Sequence, residues 1–232
     1  MEKDALLVLN KPSGLSSFMA VRIVQKILNA KKACHMGTLD PLADGVLVIG
    51  LNKATKLFDS FLNSTKEYIS VFKLGVETDT LDLAGEVLRT DNKIVSEYEF
   101  KKALEDFVGK QLQMPPIYSA KKINGKRACD LAREGKEVVL SPKQIEIFSL
   151  DLLSQIGENR FKVKIGCSSG TYVRAICRDV AEKLSTCGIT ESITRTKCGV
   201  LRIENSYTLD QIRNGEYKLI DIDEYKEWLK ND

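Results

Sequence analysis

Apolar residues fall in two rhythms along this chain. Leu6 to Leu9 and Val46 to Ile49 are continuous apolar runs, the first broken by Asn10-Lys11-Pro12-Ser13-Gly14 and the second ended by Gly50; each predicts a short buried strand. Tyr68 to Leu74 alternates and predicts a strand, Gly85 to Arg89 a shorter one, and Ile145–Leu153 with Phe161–Gly166 an antiparallel pair. Helical spacing takes over elsewhere. Ala20, Val21, Val24, Ile27 and Leu28 share one face, Arg22 and Lys26 the other, and Ser16 and Ser17 offer N-cap oxygens at the start. Phe100, Ala103, Leu104 and Phe107 predict an amphipathic helix over 96–108, and Pro115-Pro116 bars its continuation. Further helices are predicted at Ala54–Phe61, near Arg127–Arg133, from Tyr172 to about Leu184 and over 207–213. Residues 193–203 read as strand and turn, and 33–45 as loop.

Strands and helices mix without regular alternation, which favours α+β over a doubly wound parallel sheet. At 232 residues, with 43% hydrophobic and 29% charged, the chain has material for a packed core in one large domain, or one domain plus a small appendage. The balance of 35 Lys+Arg against 32 Asp+Glu, net +3, permits a nucleic-acid partner without demanding one. The six cysteines form no Cys-x-x-Cys pair and there is one histidine, so a zinc site of the usual kind is not expected. The N-terminus carries Glu2 and Asp4 before a short apolar run, unlike a secretory signal, so reduced thiols and a cytoplasmic setting are expected. No run approaches the ~18 apolar residues of a membrane span.

The chemistry concentrates between residues 37 and 45, Gly37-Thr38-Leu39-Asp40-Pro41-Leu42-Ala43-Asp44-Gly45. Glycines bracket the segment, Pro41 biases Asp40 toward an extended backbone, and Leu42 and Ala43 could pin the loop to a core. The pattern presents a carboxylate on a stiff loop, which suits catalysis. It also suits an ordinary turn, since Asp-Pro and Asp-Gly are turn dipeptides. A metal reading gathers Asp40, Asp44, Asp79 and Asp82 around Mg²⁺, although no EF-hand spacing, Walker loop or Gly-x-Gly-x-x-Gly is present.

Six separated blocks bear on the choice: Asn10-Lys11-Pro12-Ser13-Gly14 with Ser16-Ser17; His35 to Gly45; Lys66-Glu67-Tyr68; Thr78-Asp79-Thr80-Leu81-Asp82 with Gly85; Pro115 to Lys122 with Gly125-Lys126-Arg127; and Cys167 to Arg174. In that order, from about Leu6 to Ile212, they resemble the TruB family, the bacterial tRNA pseudouridine-55 synthases. The resemblance implies the pseudouridine synthase fold, a mixed and largely antiparallel sheet flanked by helices. It implies a catalytic domain over 1–212 with an RNA-binding insertion at about 110–140. Members usually carry a further RNA-binding domain of the PUA type; the expectation here is a short tail over 213–232 and no complete PUA domain.

By the same resemblance Asp40 is the catalytic aspartate, Tyr68 stacks on the target base and assists the proton step, and Arg174 pairs with Asp40 and keeps it ionised. His35 contacts the RNA beside the extruded base, Ile193 stands where a leucine usually lines the pocket, and Lys11 belongs with the substrate-binding residues. Thr194 replaces an arginine of the usual Leu-Arg-Arg-Thr. The implied reaction converts uridine 55 in the T-loop of tRNA, flipped out of its stack, to pseudouridine without cofactor or metal. Asp40 could attack C1′, add to C6 or deprotonate C2′. The expected partner is the tRNA T-arm, with no membrane, no obligate protein partner and a monomeric enzyme. Lys31-Lys32, Lys121, Lys122, Lys126, Arg127, Arg133 and Lys136 are candidate phosphate contacts. Two rivals remain open: a tRNA-binding folding chaperone acting without catalysis, and a metal-dependent nuclease.

Overall fold

A computed structural model describes residues 3–119, 121–123, 126–136 and 138–230. The expectation for Gly125 lies outside them. The elements follow as β1 (Ala5–Lys11), α1 (Ser17–Ile27), β2 (Ala33–His35), β3 (Asp44–Leu51), a 3₁₀ turn at Asn52–Leu57, α2 (Phe58–Leu62), β4 (Lys66–Leu74), β5 (Val76–Thr78), β6 (Val87–Thr90), α3 (Glu97–Glu105), β7 (Gly109–Gln113) and β8 (Lys122–Ile123). Then come β9 (Lys126–Arg127), α4 (Ala128–Arg133), β10 (Lys143–Gly157), β11 (Arg160–Cys167), α5 (Val173–Lys183), β12 (Gly188–Cys198), β13 (Leu201–Arg202), α6 (Leu209–Arg213), β14 (Ile220–Asp221) and α7 (Ile222–Trp228).

The start of α1 follows the N-cap chemistry read from the sequence, and the structure adds capping boxes at α3 and α6. Ser16 accepts the Met19 amide and caps α1, while Ser96 with Glu99 and Thr208 with Gln211 close capping boxes at α3 and α6. Three expectations are revised. Residues 33–45 are not all loop: Cys34 and His35 satisfy their backbone by pairing antiparallel with Gly50 and Ile49 of β3. Ala54–Phe61 is not one helix but a 3₁₀ turn leading into α2. The segment expected as a tail carries β14 and α7: Leu6 pairs with Ile220, and Tyr225 is fully buried.

Two compact units divide the chain, 1–68 with 194–232, and 69–193. In the first, strands run in the order β14-β1-β3-β12, with β2 also on β3 and β13 on β12. The pairings are antiparallel except β3 with β12, where Thr194 and Arg195 lie parallel to Asp44 and Gly45. Leu6, Val8, Val46, Val48, Phe61 and Tyr225 lie in its core, the Phe61 and Tyr225 rings stacked 4.9 Å apart. In the second, the order runs β12-β4-β11-β10-β7. Its core centres on Phe100, stacked on Phe161 at 3.9 Å and edge-on to Phe72 at 6.4 Å. The mixed, mostly antiparallel pairing bears out the α+β reading.

Candidate active site

β2 and β3 pair as antiparallel neighbours, so the chain between them must leave the sheet and return; Asp40 stands on that excursion. Its backbone is tied down almost residue by residue. Ser17 Oγ donates to the Leu39 carbonyl at 2.8 Å and accepts the Leu39 N–H at 2.9 Å. The Gly14 N–H donates to Pro41 O at 2.8 Å, Ser13 Oγ to Leu42 O at 2.8 Å, and the Ala43 N–H to Asp40 O at 3.1 Å. Except for Ala43, which closes a turn within the loop, the partners are Ser13, Gly14 and Ser17, which ties the two sequence blocks together. Leu39 (4% exposed) and Ala43 pin the loop to the core, whereas Leu42, expected to do so, is 38% exposed. Asp40 itself is half-buried.

Two buried cations hold the loop from within. Lys11 has no exposed surface, and its ammonium donates to Pro12 O (2.9 Å), Leu15 O (2.6 Å) and Pro41 O (3.2 Å). An ammonium has three donors. All three are directed at protein carbonyls, so Lys11 braces the Asp40 loop rather than reaching RNA, which corrects the substrate-contact expectation. Burial lowers its pKa from 10.5 to about 8, the neighbouring Asp44 and Asp40 carboxylates resist that fall, and Arg195 adds to it. Asp44 Oδ1 is buried with no hydrogen-bond partner among the described residues, and the Asp44 carboxylate attracts the Lys11 ammonium. Arg195, 2% exposed, was not singled out from the sequence; its guanidinium donates to Val46 O, Thr38 O and Gly37 O at 2.7, 3.3 and 3.2 Å.

The other expected residues of this unit are placed as follows. His35 is half-buried on β2, opposite Ile49. Tyr68 is half-buried on β4. The two residues before it fix where it starts: the Lys66 ammonium caps α2 through Phe61 O (2.8 Å) and Ser64 O (2.6 Å), and Glu67 accepts the Thr196 hydroxyl at 2.7 Å.

In the second unit, Arg174 is 4% exposed on the first turn of α5. It donates to Thr80 O at 2.6 Å and Tyr118 O at 2.9 Å, and its Nε lies 3.9 Å from Asp82 Oδ2. Gln113, which sequence reasoning passed over, sets the start of α5: its side-chain amide accepts the Tyr172 N–H at 2.9 Å and donates to Tyr172 O at 3.1 Å. The Asp79 and Asp82 carboxylates shape their own loop, Asp79 accepting the Glu86 N–H and Asp82 the Thr80 hydroxyl and Ala84 N–H. A hydrogen bond to Asp79 pushes the Tyr118 phenol up. Ile193 is buried on β12. Lys121 donates to Ser141 O at 2.9 Å. Lys122 and Arg127 face each other in the β8–β9 hairpin, beside Lys126, though the side chains of these three lie outside the described residues.

Residues 25–173 match the TruB family pseudouridylate synthase N-terminal domain. The tRNA pseudouridine synthase B of Clostridioides difficile is 43% identical over 213 residues, which is 90% of this chain and 70% of that protein. That of Endomicrobium trichonymphae is 42% identical over 205 residues, 88% of each. Among solved structures, a chain of a Cbf5-Nop10-Gar1 complex superimposes with a TM-score of 0.71 at 26% identity, over 91% of this chain and 54% of that one. A chain of an H/ACA RNP bound to a substrate RNA containing 2′-deoxyuridine gives 0.70 at 22% identity, over 99% and 56%, a likeness of fold. This chain thus spans about half the length of those two structures.

Proposed function

The chain belongs to the TruB family of pseudouridylate synthases, and from that premise we propose that it isomerises uridine to pseudouridine in tRNA, at position 55 of the T-loop. The observation that carries the proposal is the Asp40 loop: a half-buried carboxylate on a backbone held by five hydrogen bonds, four donated by the Gly14 amide, the Ser13 and Ser17 hydroxyls and the Ala43 amide and one donated by the Leu39 amide to Ser17 Oγ. The family match over 25–173 includes this loop, His35 and Tyr68, and stops one residue short of Arg174.

The reaction breaks the N1–C1′ bond, turns the uracil and joins C5 to C1′; the C5 proton leaves and N1 gains one, so no redox partner or donor is consumed. Attack at C1′, addition at C6 and removal of the C2′ proton all need a carboxylate held in one place, and rigid presentation is what the loop supplies. The target base leaves its stack to reach Asp40. Tyr68 replaces the lost stacking, worth roughly 1–3 kcal/mol per base, and takes the C5 proton. Arg174 is the charge partner of Asp40 during the reaction, His35 holds the RNA beside the flipped base, and Ile193 lines the uracil site. Lys121, Lys122, Lys126 and Arg127 bind T-arm phosphates, and the enzyme acts in the cytoplasm as a monomer. The test is an unmodified tRNA transcript incubated with the pure protein and a chelator, with pseudouridine mapped by position. Product at position 55 with the wild type and none with Asp40→Ala is expected; product elsewhere only, or equal product from both, overturns the reading.

A further inference from the structure

Arg195 lies across the neck of the Asp40 loop. Gly37 and Thr38 enter the loop, Val46 leaves it, and one guanidinium donates to all three carbonyls. The main chain closes the same neck. Arg195 pairs parallel with Gly45, so tightly that a Cβ on Gly45 would stand 2.3 Å from Arg195 O. Gly45 (φ +93°) and Gly37 (φ +123°) adopt left-handed backbone, so the neck is shaped by conformations that only glycine enters at no steric cost. A charge with 2% exposure is costly unless it is hydrogen-bonded. Here the donors point at the two ends of the loop that carries Asp40, with the Nε bond, the shortest, at the exit.

We propose that Arg195 is a positioning residue: by tying Gly37 and Thr38 to Val46 it fixes where the Asp40 carboxylate stands against the substrate, without touching substrate itself. The physical demand is the planar fork. Lysine directs its donors from one nitrogen and reaches carbonyls less widely separated than the three nitrogens of a guanidinium do, and methionine fills the volume with no donor. A misplacement of about 1 Å at a reacting group costs on the order of 100-fold in rate, so the effect falls on turnover and not on RNA affinity. The inference rests on the catalytic reading of Asp40 given above.

Arg195→Met and Arg195→Lys are compared with the wild type for kcat and KM on tRNA, for melting temperature, and for hydrogen exchange of the amides over 37–46. Positioning predicts a kcat about 100-fold lower in Arg195→Met, a smaller loss in Arg195→Lys, a KM within about threefold of wild type, and faster exchange confined to the loop in both. Arg195→Lys serves alone if Arg195→Met does not fold. A folded Arg195→Met or Arg195→Lys with unchanged kcat, a loss that lies in KM alone, or loop exchange that matches the wild type overturns the proposal. A wild type inactive on tRNA would strike the catalytic reading instead, and the exchange measurement would still decide whether Arg195 holds the loop.

Discussion

Lys11 shows what a single residue can conceal. A lysine in a glycine- and proline-rich turn reads as a surface cation, and only the packing of that turn against Pro41 puts its ammonium among three carbonyls. The consequence is a measurable pH dependence. Its pKa falls from 10.5 to about 8 on burial, so the folded chain gives up this proton more readily than the unfolded one. Below pH 8 both states hold the proton and the desolvation cost is present; between about 8 and 10.5 folding releases it, and stability rises. The contribution is complete above the unfolded value and lost as pH falls through about 8. Urea unfolding of wild type and Lys11→Met is expected to show the wild type gaining about 2–3 kcal/mol on the variant between pH 7 and 10; a pH-independent difference would mean that Lys11 titrates normally. Arg195 and Gln113 were invisible for a similar reason. Nothing in a strand sequence Ile193-Thr194-Arg195-Thr196 says that the arginine turns inward to carbonyls some 150 residues away in the chain.

At the scale of elements, the sequence was legible where one face alternates with another over a full turn or several residues. α1, α3, α5, β1, β3, β4 and the β10–β11 pair stand close to where the apolar pattern puts them. It was not legible in short strands. β2 and β5 have three residues each and β14 two, too few for a period, and β7 reads Gly-Lys-Gln-Leu-Gln, with Leu112 exposed. β2, β7 and β14 form on the longer β3, β10 and β1, whereas β5 pairs with β6, which has only four residues. The C-terminal α7 is held by Tyr225, stacked on Phe61 at 4.9 Å in the core. Tyr225→Ala is expected to lower unfolding free energy by about 3–5 kcal/mol, and Tyr225→Phe, which keeps the stacked ring, by much less. Equal midpoints for the alanine variant and the wild type in denaturant would show that α7 adds nothing to the core.

Across the whole molecule the net charge of +3 is too small to drive RNA binding by itself, so the proposal depends on where the cations sit. The segment around Lys121 is the proposed phosphate contact, and one donor of Lys121 is used on Ser141 O, leaving two among the described residues. Reversing Lys121 and Lys122 to glutamate is expected to weaken tRNA binding and to lower the slope of log affinity against log salt by about 2, roughly one per cation removed. An unchanged affinity and slope from 50 to 200 mM salt would remove this segment from the interface. The match to TruB relatives fixes the family, but the central claim concerns one carboxylate. Forming the C5–C1′ bond expels the C5 hydrogen, so tRNA labelled with tritium at C5 of uridine reports the reaction as release to water. The wild type is expected to release one tritium equivalent per target uridine, in the presence of chelator, and Asp40→Asn, which keeps the shape and removes the charge, to release none. Release by Asp40→Asn at the wild-type rate would contradict the account.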